Sequence, residues 1–293
     1  MKYYVKKFPL DYVKETLYKL DNNGVLLTKI PYTQDYRKDL ESITSYALTN
    51  MGNYMDIDCR TKVLNQVNWL VDNIDEEGTW KHSFKLPFYK MDKPWINGMG
   101  QGLAISSLIR AYQLTAEQKY IDTAKKAFNP FEKQIKDGGV IFTDPKRRIW
   151  IEECAIEPPP HILSGFIYAL FGIYDLYTIK QHKLAKELWH NCINTLERNL
   201  PKYDLGFWSK YSLIDEHPAE LGYHEIHIEQ LKVLYELTDL HVFKEYSDKW
   251  QDCLNSSYCI QKSKIKRGMA HFKKHGTFGL IKRYLEKKRW MHE

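Results

Sequence analysis

The residues best suited to chemistry fall in two short stretches. The first is W-I-E-E-C-A-I-E-P-P-P-H-I-L-S-G-F, Trp150 to Phe166. It sets Glu152, Glu153 and Glu157 beside three prolines, directly before the most apolar run of the chain. A carboxylate in such a place is solvated, caps a helix N-terminus, or sits in a cleft where burial raises its proton affinity and makes it a general base. The second stretch is L-G-Y-H-E-I-H-I-E-Q, Leu221 to Gln230. His224 and His227 there are one helical turn apart and share a face. Their spacing resembles a metal pair, but it is not H-E-x-x-H, and the sequence places no third ligand. Histidines satisfied at a helix start are the alternative. Neither a metal nor another cofactor is expected. Tyr223 opens the same helix and offers a phenol.

The elements that must hold these groups are set by a repeat. Four segments read alike, with tyrosines at Tyr46, Tyr112, Tyr174 and Tyr235, spaced 66, 62 and 61 residues apart. Each is followed by a turn and a charged amphipathic run: Arg60 to Ile74, Glu117 to Ile135, Leu184 to Leu200 and Phe243 to Leu254. A period near 60 fits two helices and a connecting excursion. The fold class predicted is mainly α, an incomplete (α/α) toroid of about four helical hairpins with short β segments in the loops. The less charged odd helices belong to an inner layer and the even ones outside, with the excursions gathered at one rim.

Local signals fill in this frame. Residues 1–32 form an N-terminal arm, with a turn at Asp21 to Gly24 and a short strand at Val25-Leu26-Leu27. The toroid spans 33–258, and 259–293 form a basic amphipathic tail. Helix one begins near Thr33 or Asp35, and helix two near Asp58. Asn97 caps helix three within W-I-N-G-M-G-Q-G. Val140 to Thr143 reads as a strand, helix five runs from about Pro160 to Ile179, and helix seven opens at Tyr223.

Composition limits the functional classes. The 293 residues are 43% apolar and 14% aromatic, enough for a full core. Five cysteines without C-x-x-C spacing argue against a disulfide framework and a structural zinc site. The N-terminus lacks an apolar run of signal length, and no stretch approaches a membrane span, so a cytoplasmic protein is expected. Net charge is +6, yet residues 261–293 alone carry 11 Lys and Arg against 2 Asp and Glu. The remainder is slightly acidic. Basic residues interleaved with Met269, Phe272, Leu280 and Trp290 suit an anionic membrane surface or an acidic polymer. Nucleic acid is not an expected partner, since no recognition motif is present. A homodimer is compatible with the sequence.

Taken together, W-I-N-G-M-G-Q-G-L-A-I-S-S-L-I-R-A-Y, E-E-C-A-I-E-P, G-F-I-Y-A-L-F-G-I-Y-D-L, L-P-K-Y-D and Y-H-E-I-H-I-E-Q-L resemble, in order, the C-terminal domain of heparan-type D-glucuronyl C5-epimerases. The resemblance covers about residues 60 to 255. It implies inversion at C5 of a hexuronate in a polysaccharide, D-glucuronate to L-iduronate. Carried over by position, the catalytic carboxylate is Glu153 and the catalytic tyrosines are Tyr223 and Tyr211. His224, His227, Cys154, Gln101 and Glu152 are the expected substrate contacts. Two positions depart from the family: Cys154 stands where it has tyrosine, and Ile214 where it has arginine. A uronate lyase and a catalytically silent glycan-binding or assembly protein are the competing readings.

Overall fold

In a computed structural model of the chain, the described residues are 17–30, 35–92, 94–270 and 272. Helices dominate: α1 (Leu40–Met51), α2 (Ile57–Asn73), α3 (Gly98–Thr115), α4 (Gln118–Lys126), α5 (Leu163–Lys180), α6 (Lys183–Asn199), α7 (Leu221–Thr238) and α8 (His241–Asn255). Residues 257–270 are also helical. Strands β1 (Tyr18–Leu20), β2 (Leu26–Lys29) and β3 (Tyr36–Arg37) form one small antiparallel sheet. Strands β4 (Ile141–Thr143) and β5 (Ile149–Ile151) form another, pairing Phe142 with Trp150.

The repeat is a repeat of helical hairpins. Tyr46, Tyr112, Tyr174 and Tyr235 lie in α1, α3, α5 and α7. At two of them the helix stop is the same. Ala116 N–H bonds to the Tyr112 carbonyl and Asp239 N–H to the Tyr235 carbonyl, each at 2.8 Å, with the donor in the left-handed region. Such a C-cap satisfies a carbonyl that the helix itself leaves open.

Two boundaries differ from expectation for visible reasons. Helix one starts at Leu40, because Tyr36–Arg37 pairs with β2 and Asp39 provides the cap, its side chain accepting from Ser42 N–H. Helix four stops at Lys126 instead of reaching Ile135. Asn129–Glu132 turn tightly with Pro130 near the start, and proline cannot continue an α-helical ladder. The Asn97 cap stands as expected, with its side chain accepting from Gly100 N–H at 2.9 Å.

The chain divides into two compact units, Met1–Leu196 and Glu197–Glu293. In the first, α3 packs along α5 and against α1, and β2 packs on α1. Helix α5 is buried along most of its length, as its all-apolar sequence requires. Its Asp175 has no exposure; it accepts from Ser106 Oγ at 2.7 Å and pairs with Arg110, both from α3. The Tyr174 ring meets Trp189 of α6 at 4.8 Å. In the second unit α7 packs on α8 around Trp250 and Phe243. No helix among the described residues is long and apolar enough to cross a membrane. Residues 273–293, most of the expected basic tail, lie outside the described residues, as do 1–16 of the expected arm.

Candidate active site

The loop between β5 and α5 carries Glu152, Glu153 and Cys154, and it is docked on the start of α3. Gly98 N–H donates to the Glu153 carbonyl at 3.3 Å, and Asn97 bridges Cys154 in antiparallel fashion. The contact is so close that a Cβ on Gly98 would lie 2.3 Å from the Glu152 carbonyl oxygen. That is why the sequence has glycine directly after the cap residue.

The two neighbouring glutamates have different surroundings. Glu152 is fully buried; it accepts from His161 N–H at 3.0 Å, and its Oε1 lies 2.5 Å from His161 Nδ1. The His161 ring in turn lies 4.1 Å from Trp150. Glu153 points at the first turn of α5, where its carboxylate lies in the space left by Gly165. Burial, and then the adjacent Glu152 charge, raise its proton affinity to a pKa of about 7. Cys154 is buried, and burial and the surrounding carboxylates push its thiol well above the ordinary value. It is a neutral thiol here.

A neighbour that the sequence did not reveal is Glu41, in the first turn of α1. Asn97 Nδ2 donates to its Oε1. Burial, Asp39 and Glu153 raise its proton affinity well above the carboxylate norm. His82 lies 3.6 Å from Asp39 and stacks on Trp95, but burial lowers its pKa. It therefore offers Asp39 no compensating charge at neutral pH. The loop also borders a pocket of about 530 Å³, where Ala155 and Ile156 meet Trp95, Lys81, Lys90 and Lys133.

The second unit holds the tyrosines and histidines. The Tyr211 and Tyr223 rings meet edge to face at 4.7 Å, and Tyr223 is 38% exposed at the start of α7. His224 and His227 are fully buried. Ser209 N–H donates to His224 Nδ1 at 3.2 Å, which places the His224 proton on Nε2, 3.1 Å from the Trp250 carbonyl. Ser209 Oγ lies 2.8 Å from Nδ1 of both imidazoles. The His224 ring is stacked on Trp208 at 3.7 Å. Burial lowers His224 to about 4 and His227 to about 3, so both are neutral at pH 7. Among the described residues no group of three or more His, Cys, Asp or Glu could hold a metal ion.

Four of the expected sugar contacts are buried and engaged by other groups of the protein. Glu152 is bound by His161, and His224 and His227 by Ser209. Gln101 has no exposure; its amide donates to the Gly78 and Ala127 carbonyls and accepts from Trp80 N–H. Buried polar groups are used this way because an unmade hydrogen bond there costs about 1–3 kcal/mol. Cys154 is buried as well. Of the sequence candidates, Glu153, Tyr211 and Tyr223 remain partly accessible.

Helical hairpins, with a high-affinity carboxyl held at the entry to a buried helix, define a mainly α protein of (α/α) class. A solved structure of unsaturated glucuronyl hydrolase from Streptococcus agalactiae shares this fold, with a TM-score of 0.51 at 14% identity, over 74% of this chain and 58% of that one. The chain belongs to the family described as D-glucuronyl C5-epimerase C-terminus, which matches residues 74–252. It is 30% identical over 208 residues to a D-glucuronyl C5-epimerase of Caenorhabditis elegans, covering 62% of this chain and 33% of that protein. It is 28% identical over 197 residues to an uncharacterised protein of Methanocaldococcus jannaschii, covering 65% of this chain and 64% of that one.

Proposed function

We propose that this chain inverts C5 of hexuronate residues in a polysaccharide, in the D-glucuronate to L-iduronate sense. The C5 hydrogen is alpha to a carboxylate and weakly acidic. Its removal builds negative charge on the substrate carboxyl, and inversion needs a proton returned to the opposite face. Glu153 is the base that takes the proton. Tyr223, aided by Tyr211, is the donor, since an ordinary phenol with a pKa of about 10 stays protonated at neutral pH. The pocket beside Ala155 and Ile156, lined by Lys81, Lys90 and Lys133 together with Glu77, Asp92 and Asp137, has room for a neighbouring part of the polymer.

The observation that carries this reading is the raised proton affinity of Glu153 within the family's own stretch of sequence. A base with a pKa near the working pH combines availability with driving force. The test is solvent-deuterium incorporation at C5 over a panel of uronate polymers. Incorporation by the native chain and none by Glu153→Gln is the expected result. Exchange in both would remove Glu153 from the mechanism, and an ultraviolet-absorbing unsaturated product would make the protein a lyase.

A second reading, a silent glycan-binding protein, is favoured by the two departures from the family pattern. Cys154 is a buried neutral thiol, and Ile214, 52% exposed, stands where the family has an arginine. Polymer binding without any exchange is its signature.

A further inference from the structure

We propose that Glu41 is an additional catalytic carboxyl of this site, working as a neutral acid that donates a hydrogen bond from its free oxygen to the substrate carboxylate while Glu153 serves as base. The proposal rests on the epimerase reading and supplies what that reading lacks, an electrophile for the developing charge. Glu41 lies outside residues 74–252, the stretch that matches the family.

The geometry is built on two consecutive residues. Asn97 uses both ends of its amide: Oδ1 accepts from Gly100 N–H at 2.9 Å, and Nδ2 donates to Glu41 Oε1. The next residue, Gly98, holds the Glu153 carbonyl. One helix start thus ties α1's carboxyl to the loop of the base. Glu41 is half-buried, and its Oε2 has no hydrogen-bond partner among the described residues.

The surrounding charges decide its state. Asp39, on its own element, and Glu153, on the facing loop, both act on Glu41 and are both acidic. Glu152 and the Cys154 thiol stand beside Glu153. Of the histidines, His82 faces Asp39 and is kept neutral by burial, while His161 is engaged by Glu152. Among the described residues no Lys or Arg pairs with Glu41, Glu152 or Glu153. Adjacent carboxyls without a cation do not all ionise, and one retains its proton. The Asn97 bond does not prevent this, because a protonated carboxyl keeps an acceptor oxygen and gains an O–H donor.

In the reaction Glu153 takes the C5 proton, the proton donor returns one, and Glu41 keeps its own throughout. Its bond to the substrate carboxylate shortens as that group gains enolate charge. Removing one such donor typically lowers kcat by about 10²–10³-fold.

The test has two arms. Carboxyl 13C titration of glutamate-labelled protein, assigned with Glu41→Gln, reads protonation without needing activity. The Glu41 signal is expected to be that of the acid at pH 7; titration near the ordinary value of about 4.3 overturns the proposal. In deuterium exchange, Glu41→Gln, which keeps a weaker donor, should lower kcat about tenfold, and Glu41→Ala about a hundredfold. Alanine within twofold of wild type, or glutamine as inactive as alanine in a folded protein, overturns it. Should the native chain exchange no polymer, the epimerase reading fails by itself and the titration still decides Glu41.

Discussion

Glu153 occupies the space where Gly165 has no side chain. A Cβ built at residue 165 would lie 2.1 Å from Glu153 Oε2 and 2.6 Å from its Cβ. The position of this carboxyl therefore depends on a missing methyl in the first turn of α5. Gly165→Ala improves helix propensity by about 1 kcal/mol, yet it must push the carboxyl out of place. The expected outcome is a drop of at least about tenfold in C5 exchange, because a misplacement near 1 Å has large kinetic effects. Full activity in Gly165→Ala would show that the carboxyl works from another position.

The same carboxyl makes stability depend on pH in a defined direction. Its folded pKa, about 7, lies above the unfolded value of about 4.3. Between these values the folded state binds the extra proton, so its contribution is fully present below about 4.3. It is lost as pH rises through 7. Glu153→Gln, neutral at every pH, should melt higher than wild type at pH 8, with the gap closing toward pH 4. His224 and His227 act in the opposite sense, their depressed values removing stability in acid, but they contribute equally to both proteins. A melting difference that is flat from pH 4 to 8 would contradict the raised affinity.

Much of this was readable beforehand, and the failures have physical causes. The Asn97 cap and the apolar α5 were legible because capping chemistry and helical periodicity are local. The roles of Gln101, Glu152 and the two histidines were not, since residue type does not reveal which backbone groups a side chain reaches once buried. Position-matching treated each polar residue of these loops as a substrate contact, whereas Gln101, Glu152, His224 and His227 are buried and bonded within the protein. Glu41 was invisible for another reason. It is 112 residues from Glu153, and no motif or spacing links α1 to the loop before α5. The side chain of Asn97 makes that link.

Ser209 bridges both buried imidazoles, which makes it the most consequential small residue of the second unit. Ser209→Ala removes the hydroxyl from two ring nitrogens at once while leaving the backbone bond to His224. His227 Nε2 already has no partner among the described residues, so the loss would leave that ring without a side-chain bond. A destabilisation of about 1–3 kcal/mol is expected in denaturant unfolding. A change below about 0.5 kcal/mol would mean that the histidines are held by the backbone bonds to His224 and by packing against Trp208 and Trp250.

The basic end of the chain divides at residue 272. Residues 257–270 are helical and integrated with their unit: Ser263 is buried, Lys262 lies over the Phe207 ring at 4.5 Å, and Arg267 lies 3.8 Å from Glu220. Residues 273–293 add seven Lys and Arg against two Glu, with Phe278, Leu280, Ile281, Leu285 and Trp290 among them. We propose that this last segment attaches the protein to anionic lipid, because cationic and bulky apolar residues are interleaved there. A chain ending at Phe272 should melt as the full chain does and lose its binding to vesicles rich in anionic lipid. Binding by the full chain should weaken as salt rises, since exposed charges are screened beyond about 8 Å at physiological ionic strength. Equal binding by the two chains would refute attachment by this segment. Unfolding of the shortened chain would make the segment part of the core.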